Sequence, residues 1–237
     1  MFRNFLLSSV LLGFLAVATA APITFTNPNY SVDAIVGVDD MTESGSVTSP
    51  STAIPLNVVR SVSIGTGTAF ASASADIGKL SAATNVTSTG GIADASSNSR
   101  FFGTIDSLLG GTYQLAFNFI TGDLIVGQDS FASSILAIII NSNLNDLYNQ
   151  SFTTSSSLTD FTFSLAPGTK ALFDITLVSS ANSTSGSASN NANVDFSINV
   201  AANGVPEPHE GMLLLLGGLA MYNFIRRGRR RAGSLLA

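Results

Sequence analysis

Apolar residues recur at every second position along much of the stretch between residues 31 and 200, and this period constrains the fold more than any other feature. A strand turns successive side chains to opposite faces, so alternation marks a strand with one face buried. Thr112 to Ile120 sets Tyr113, Leu115, Phe117 and Phe119 on one side. Phe161, Phe163 and Leu165 repeat the pattern, as do Ala171, Phe173, Ile175 and Leu177, and then Val194, Phe196, Ile198 and Val200. Thr68 to Ala75 alternates with alanine alone on one face. Alanine is a poor strand former, so alternation is the only support there. Ser31 to Val38 and Asn57 to Ile64 read as further strands, the first ending at Asp39-Asp40 and the second interrupted by Arg60.

Other stretches carry weaker patterns. Ser81 to Ser99 is rich in Ser, Thr, Asn and Gly and predicts a loop or a weak edge strand. Ser179 to Asn193 has the same composition and predicts a long mobile loop. Thr121-Gly122-Asp123 reads as a turn after which Leu124 to Val126 pairs back, and Ala166-Pro167-Gly168 as the turn of a hairpin. The apolar run ending Phe131 to Ile140 predicts a strand buried on both faces. Asn145 to Gln150 is short enough for one helical turn at most. Short strands, frequent turns and no long amphipathic helix predict an all-β class, a single jelly-roll-like β-sandwich over residues 21–204.

The ends differ from this middle. Residues 1–20 read as a secretory signal peptide: Arg3, an apolar run from Phe5 to Val17, and Ala18 and Ala20 in the small-x-small form of a cleavage site. Val205-Pro206-Glu207-Pro208 cannot join a sheet, because proline has no N–H and fixes φ. His209-Glu210 and an apolar run from Gly211 to Ile225 follow, predicting a transmembrane helix about 22 Å long. Next comes the basic cluster 226–231, with Arg226, Arg227, Arg229, Arg230 and Arg231, and a tail at 232–237. The positive-inside rule keeps those arginines in the cytoplasm, an N-out, C-in topology.

This order of motif, short helix and arginine cluster resembles the PEP-CTERM sorting signal, over residues 205–231. The resemblance implies a Gram-negative bacterium that makes extracellular polysaccharide. It implies passage through the Sec export machinery and signal peptidase, and transient retention in the inner membrane. Processing near Val205, Pro206, Glu207 and Pro208 by exosortase would follow, with delivery to the cell surface or extracellular matrix. Members share the tail, so the tail does not define what the ectodomain does.

The ectodomain excludes several chemistries. There is no cysteine, hence no disulfide, thiol chemistry or Cys-based zinc site. The single histidine is His209, so no Ser-His-Asp arrangement is available in the ectodomain. Between Ala21 and Gly204, thirteen acids stand against four bases, Arg60, Lys79, Arg100 and Lys170, a net −9 that repels nucleic acid and anionic lipid. Asp39, Asp40 and Glu43 form the one tight acidic group. It reads as a solvated turn first and as a weak calcium candidate second, since the Asp-x-Asp-x-Asp spacing of a calcium loop is absent. Tyr30, Tyr113 and Tyr148 are candidates for stacking on sugars, although packing is the simpler role. The expectation is a non-enzymatic surface or matrix protein without cofactor or catalytic residues, associated with extracellular polysaccharide. The alternative is a lectin-like carbohydrate-binding module, with or without calcium.

Overall fold

The computed structural model describes residues 23, 25–50, 54–108, 110–127, 129–142 and 145–200. The chain divides into two units, 1–202 and 203–237, and all the described residues belong to the first. The expected signal peptide at 1–20 and the whole of 205–237 lie outside them.

Every regular element among the described residues is a strand: β1 (Thr26–Val38), β2 (Met41–Pro50), β3 (Leu56–Ile64), β4 (Gly67–Asp76), β5 (Lys79–Ser88), β6 (Ala93–Ser107), β7 (Gly111–Val126), β8 (Ser130–Ser142), β9 (Asn145–Phe152), β10 (Ser156–Leu165), β11 (Thr169–Ser183) and β12 (Gly186–Val200). They form two six-stranded antiparallel sheets, a front sheet ordered β2-β1-β6-β11-β8-β9 and a back sheet ordered β10-β7-β12-β5-β4-β3. The two share one hydrophobic core and make a β-sandwich. Four pairings nest inside one another along the chain: β8 with β9, β7 with β10, β6 with β11 and β5 with β12. The first four strands widen the sandwich, β1 and β2 beside β6, and β4 and β3 beside β5.

The clearest alternations behave as expected. Tyr113, Leu115, Phe117 and Phe119 are buried on β7, as are Ala171, Phe173, Ile175 and Leu177 on β11. The alanine row of β4, Ala69, Ala71, Ala73 and Ala75, is almost fully buried. Asp39-Asp40 is the turn between β1 and β2. Val32, Val36 and Val38 point inward there, but Ala34 completes that row and Ile35 faces out.

The polar stretches depart from expectation. Ser81–Ser99 is no loop: it spans most of β5 and the start of β6, and each lies inside a sheet with a strand on both sides. Ser179–Asn193 belongs to β11 and β12 except for the short turn at 184–185. Asn145–Gln150 is strand, in β9. The residues alternate after all, with Ala, Ser, Thr and Asn as the inward set: Ala82, Thr84, Val86 and Ser88 on β5, and Ala93, Ala95, Ser97 and Ser99 on β6. Small side chains bring the sheets close enough for hydroxyls to reach across the gap. Ser97 Oγ donates to the Ala83 carbonyl at 3.3 Å, and Ser99 Oγ to the Ser81 carbonyl at 2.5 Å. At the end of β5, Ser88 Oγ lies within hydrogen-bond distance of the Gly91 and Thr184 carbonyls, at 2.5 and 3.0 Å, and so joins the two turns that carry them.

Three further expectations are corrected. Leu124 to Val126 does not fold back; β7 runs on through Thr121 to Val126 and pairs with β12. The turn at 166–168 does not close a hairpin, because β10 pairs with β7 in the back sheet and β11 lies between β6 and β8 in the front one. The run in β8 is buried on one face: Leu136, Ile138 and Ile140 are inside, while Ile135 is 43% exposed.

The core changes character along the strands. One half is aromatic, with Phe25, Phe101 and Phe196 in a chain of ring contacts at 4.9 and 5.2 Å, and Tyr113 stacked on Phe163 at 5.5 Å. The other half is polar and centred on Asn190, which is 2% exposed. Its Oδ1 accepts from Ser134 and Ser179, its Nδ2 donates to Asp123, and Ser179 is hydrogen-bonded to Thr84 at 3.0 Å. Five strands from both sheets meet there. At one side of the sandwich, Arg60 on β3 donates through Nε to the Ser44 carbonyl of β2 at 3.0 Å. It lies over Gly45, where any Cβ would collide with the guanidinium.

Replacing Asn190 with Ala leaves the Ser134 and Ser179 hydroxyls buried without this acceptor. Unfolding in urea is expected to show a loss of about 2–3 kcal/mol. Asn193→Ala on the exposed face of the same strand is expected to stay within about 0.5 kcal/mol.

Candidate functional site

The outward residues of the front sheet form a broad platform of hydrogen-bonding groups separated by apolar patches. Strand register sets its rows. Ser46, Asp33, Asn98 and Val178 lie side by side across β2, β1, β6 and β11. The next row is Ser31, Arg100 and Thr176, and the one after it Asn29, Phe102 and Asp174. An open groove of about 510 Å³ lies over Asp33, Ile35 and Asn98, and another of about 420 Å³ over Asn29, Ser31, Arg100 and Phe102. Both are on this face and adjoin along β1 and β6.

Arg100 is the organising cation. Nε donates to Asp174 Oδ1 at 2.8 Å, and Nη2 to Asp174 Oδ2. Thr176 Oγ1 donates to the same Oδ1 at 3.1 Å. The hydrogen bond to Asp174 raises the guanidinium pKa above its already high ordinary value, against partial desolvation. The guanidinium carbon lies 5.9 Å from the centroid of the Phe102 ring, a cation–π distance. The two-point pair and the ring hold each other on a rigid sheet, with the Phe102 side chain 39% exposed.

Asn98 adds an unmet demand. Its Oδ1 is buried yet accepts no hydrogen bond; among the described residues Thr121 Oγ1 is the other side-chain atom in that condition. Such an atom costs roughly 1–3 kcal/mol until a donor arrives. Asn98 lines the larger groove, but its Oδ1 is closed off from solvent there. A third groove, of about 430 Å³ on the back sheet, is lined by Asp76, Lys79, Asn193 and Asp195 and has no such atom.

The acidic group named from sequence has a different occupation. Asp39 Oδ2 accepts from Thr66 Oγ1 at 2.6 Å, its Oδ1 accepts from the Ile92 amide at 3.0 Å, and its own N–H donates to the Ile92 carbonyl at 2.8 Å. It ties together the turns before β2, β4 and β6, from a left-handed φ of 52°. Asp40 is exposed in the turn and Glu43 exposed on β2. Among the described residues no three His, Cys, Asp or Glu side chains gather in a group that could hold a metal.

The tyrosines are mostly core. Tyr30 is buried with its ring 5.0 Å from that of Phe101, and burial raises its pKa, with Asp76 adding to the effect. Tyr113 is buried and its hydroxyl donates to Ser107 Oγ at 2.9 Å. Half-buried Tyr148 packs on Phe161 at 4.5 Å. The exposed aromatic side chains of this face are instead Phe102 and, at the start of β8, Phe131. Alternation through Arg100-Phe101-Phe102 would have found Phe102 had the preceding residues been read as strand. The sorting motif Val205, Pro206, Glu207 and Pro208, the arginine cluster 226–231 and the cleavage residues Ala18 and Ala20 lie outside the described residues, as does the helix expected at 211–225. Among the described residues no helix is long and apolar enough to cross a membrane.

No protein-family model matches the chain, and no curated protein matches it in sequence. Among solved structures the chain is similar to TmCBM61 in complex with beta-1,4-galactotriose, at 12% identity over 60% of this chain and 88% of that one, with a TM-score of 0.26. It is also similar to a CBM4 structure, at 14% identity over 54% of this chain and 75% of that one, with a TM-score of 0.24.

Asp39 makes the turn junction sensitive to acid. The Thr66 hydrogen bond, and next that of Ile92, hold its carboxyl below the ordinary 3.8, with slight desolvation opposing them. A lowered folded pKa contributes stability that is present above the ordinary value and lost as pH falls through the folded one. The protection factor of the Ile92 amide is expected to be flat above about pH 4 and to fall in stronger acid. Asp39→Asn, which cannot titrate, is expected to remove that fall in hydrogen exchange.

Proposed function

We propose that the chain is an exported, non-catalytic surface protein whose jelly-roll sandwich holds neutral extracellular polysaccharide against the outer face of its front sheet. The nested pairing of β5 to β12 supports the jelly-roll reading. The observation that carries the binding reading is the rigid group of Arg100, Asp174 and the exposed Phe102 ring on the outer face, one row from Asn98 in the larger groove. A pyranose ring presents hydroxyls at its edge and C–H groups on its faces. This platform offers acceptors and donors between apolar patches in the same way. A net −9 over residues 21–204 disfavours polysaccharides rich in uronic acid, which leaves neutral ones as the ligand class. In this reading recognition proceeds by hydrogen bonds and ring contact, without calcium.

Delivery rests on the resemblance of residues 205–231 to the PEP-CTERM signal. In this reading the Sec machinery exports the chain, signal peptidase cuts after Ala20, and residues 211–225 hold it N-out, C-in in the inner membrane. Exosortase then processes it near 205–208, and the sandwich passes to the surface or matrix of a Gram-negative cell. β12 ends at Val200, ahead of the motif, so processing there leaves both sheets whole.

Titration of the purified protein with neutral and uronic-acid polysaccharides tests the binding half. Saturable binding to a neutral polymer is expected, unchanged by a chelator. Phe102→Ala and Asn98→Leu are each expected to weaken it about tenfold, near 1.4 kcal/mol. Asn98→Leu is also expected to raise the thermal midpoint, since it removes an unsatisfied oxygen. Absence of saturable binding, or indifference to both substitutions, refutes this half. For the delivery half, mass spectrometry of the surface protein is expected to find residues 211–231 only in cells lacking exosortase. Their retention in both strains would refute the processing step.

A further inference from the structure

The back sheet leaves one strand half bare. β10 pairs with β7 from Gly111 to Phe119 and goes no further, while β12 accompanies β7 to Val126. At Thr121 the Ser155 hydroxyl replaces the missing strand: it accepts from the Thr121 N–H at 3.0 Å and donates to the Thr121 carbonyl at 3.2 Å. Both backbone groups of Thr121 therefore point away from β12. Direction repeats every second residue in a strand, so the N–H and C=O of Asp123 and Ile125 point the same way. No strand among the described residues lies against them.

The side chains of this stretch are apolar and open. Ile120 is 56% exposed, Leu124 63%, Ile125 47% and Val126 55%. The Asp123 carboxylate is turned to Asn190. The other edges are protected in familiar ways. β2 carries exposed Thr42, Glu43, Ser44 and Ser46, and β3 carries Arg60. β9 and β10 each pair with their neighbour through a register shift. Charge, proline and bulges are how sheets blunt their edges, and residues 122–126 have only the inward-held Asp123.

We propose that residues 122–126 are a homotypic docking edge, on which a second copy of this chain pairs antiparallel through the same stretch. The occupant must be an extended strand, because only a strand satisfies a row of alternate N–H and C=O groups. It must be short, since Ser155 blocks one end and β7 stops at Val126 at the other. It must also be apolar and set no unpaired charge against this edge, a term the same stretch meets because its Asp123 is engaged by Asn190. Of the edges of this sandwich, the one that meets these terms is the same stretch in another copy. Two-fold pairing centred on Leu124 sets the N–H and C=O of each Asp123 against the C=O and N–H of the partner's Ile125. Leu124 then faces the partner's Leu124 as a non-hydrogen-bonded pair, with Cα atoms roughly 4.5 Å apart. The interface is isologous and closes at a dimer, joining two back sheets into one.

The chain has no cysteine, so Leu124→Cys in the full chain is a unique reporter. The two-fold pair falls within the Cα separation of a disulfide. Mild oxidation is expected to convert it to a homodimer of doubled mass, whereas Val59→Cys, exposed on β3 at the opposite edge, stays monomeric. Ile125→Pro removes an outward N–H and leaves the β12 ladder intact. It is expected to reduce the mass in light scattering from dimer to monomer at an unchanged thermal midpoint, and Leu124→Lys to do the same if proline disturbs the strand. The proposal is overturned if Leu124→Cys cross-links no faster than Val59→Cys, if its adduct is with a different protein, if the unsubstituted chain is monomeric throughout, or if the dimer survives in both Ile125→Pro and Leu124→Lys.

Discussion

Serine hydroxyls that cross from one sheet to the backbone of the other set the geometry on which the rest of the sandwich depends. Ser97 and Ser99 each donate to a β5 carbonyl across the gap, and Thr84 and Ser179 meet between the sheets. Large side chains would hold the layers near the usual separation of about 10 Å. Inward rows of Ala, Ser and Thr let them approach, and approach is what gives the Ser97, Ser99 and Ser179 hydroxyls their partners. A hydroxyl buried without one would destabilise the fold, so closeness and satisfaction arise together. The pairing also specifies register. A slip of one residue on β6 would turn Phe101 outward and bring Arg100 into the core.

The outer face inherits its order from that inner constraint. Asn98, Arg100 and Phe102 alternate with Ser97, Ser99 and Phe101, so the interior positions of β6 fix where the exterior ones stand. Asp174 comes into reach of Arg100 because β11 pairs with β6 in one register only, held by Phe173, Ile175 and Leu177 in the core. The platform therefore sits on central strands and not on loops, and the sheet holds its side chains in place. The acidic turn has the opposite role. Asp39 spends both carboxylate oxygens joining three turns at the end of the sandwich.

Strands whose inward rows are aromatic or branched were legible from sequence, β7 and β11 most clearly, because hydrophobic contrast reports burial directly. The serine-rich half of β5, β6, β11 and β12 was not, because Ser, Thr, Asn and Ala are also the residues of loops. Their alternation is real, but polarity hides it. Continuation of β7 past Gly122 was equally hidden. Thr121-Gly122-Asp123 has the composition of a turn, and only the long partner β12 keeps it extended. The outer platform stayed out of view for the same reason, since recognising Phe102 as outward requires knowing that Ser97 and Ser99 point in.

By itself the sequence determined the all-β class, the absence of thiol chemistry, the single histidine outside the sandwich and the acidic surface. Each follows from local alternation or simple composition, and neither needs partners distant in the chain. Which strands pair, where the sheets cross over, which polar residues are interior and which edge is left open were decided by tertiary structure. Those outcomes depend on contacts between residues far apart in sequence. A serine becomes a core residue only when a carbonyl stands across the gap to receive its proton.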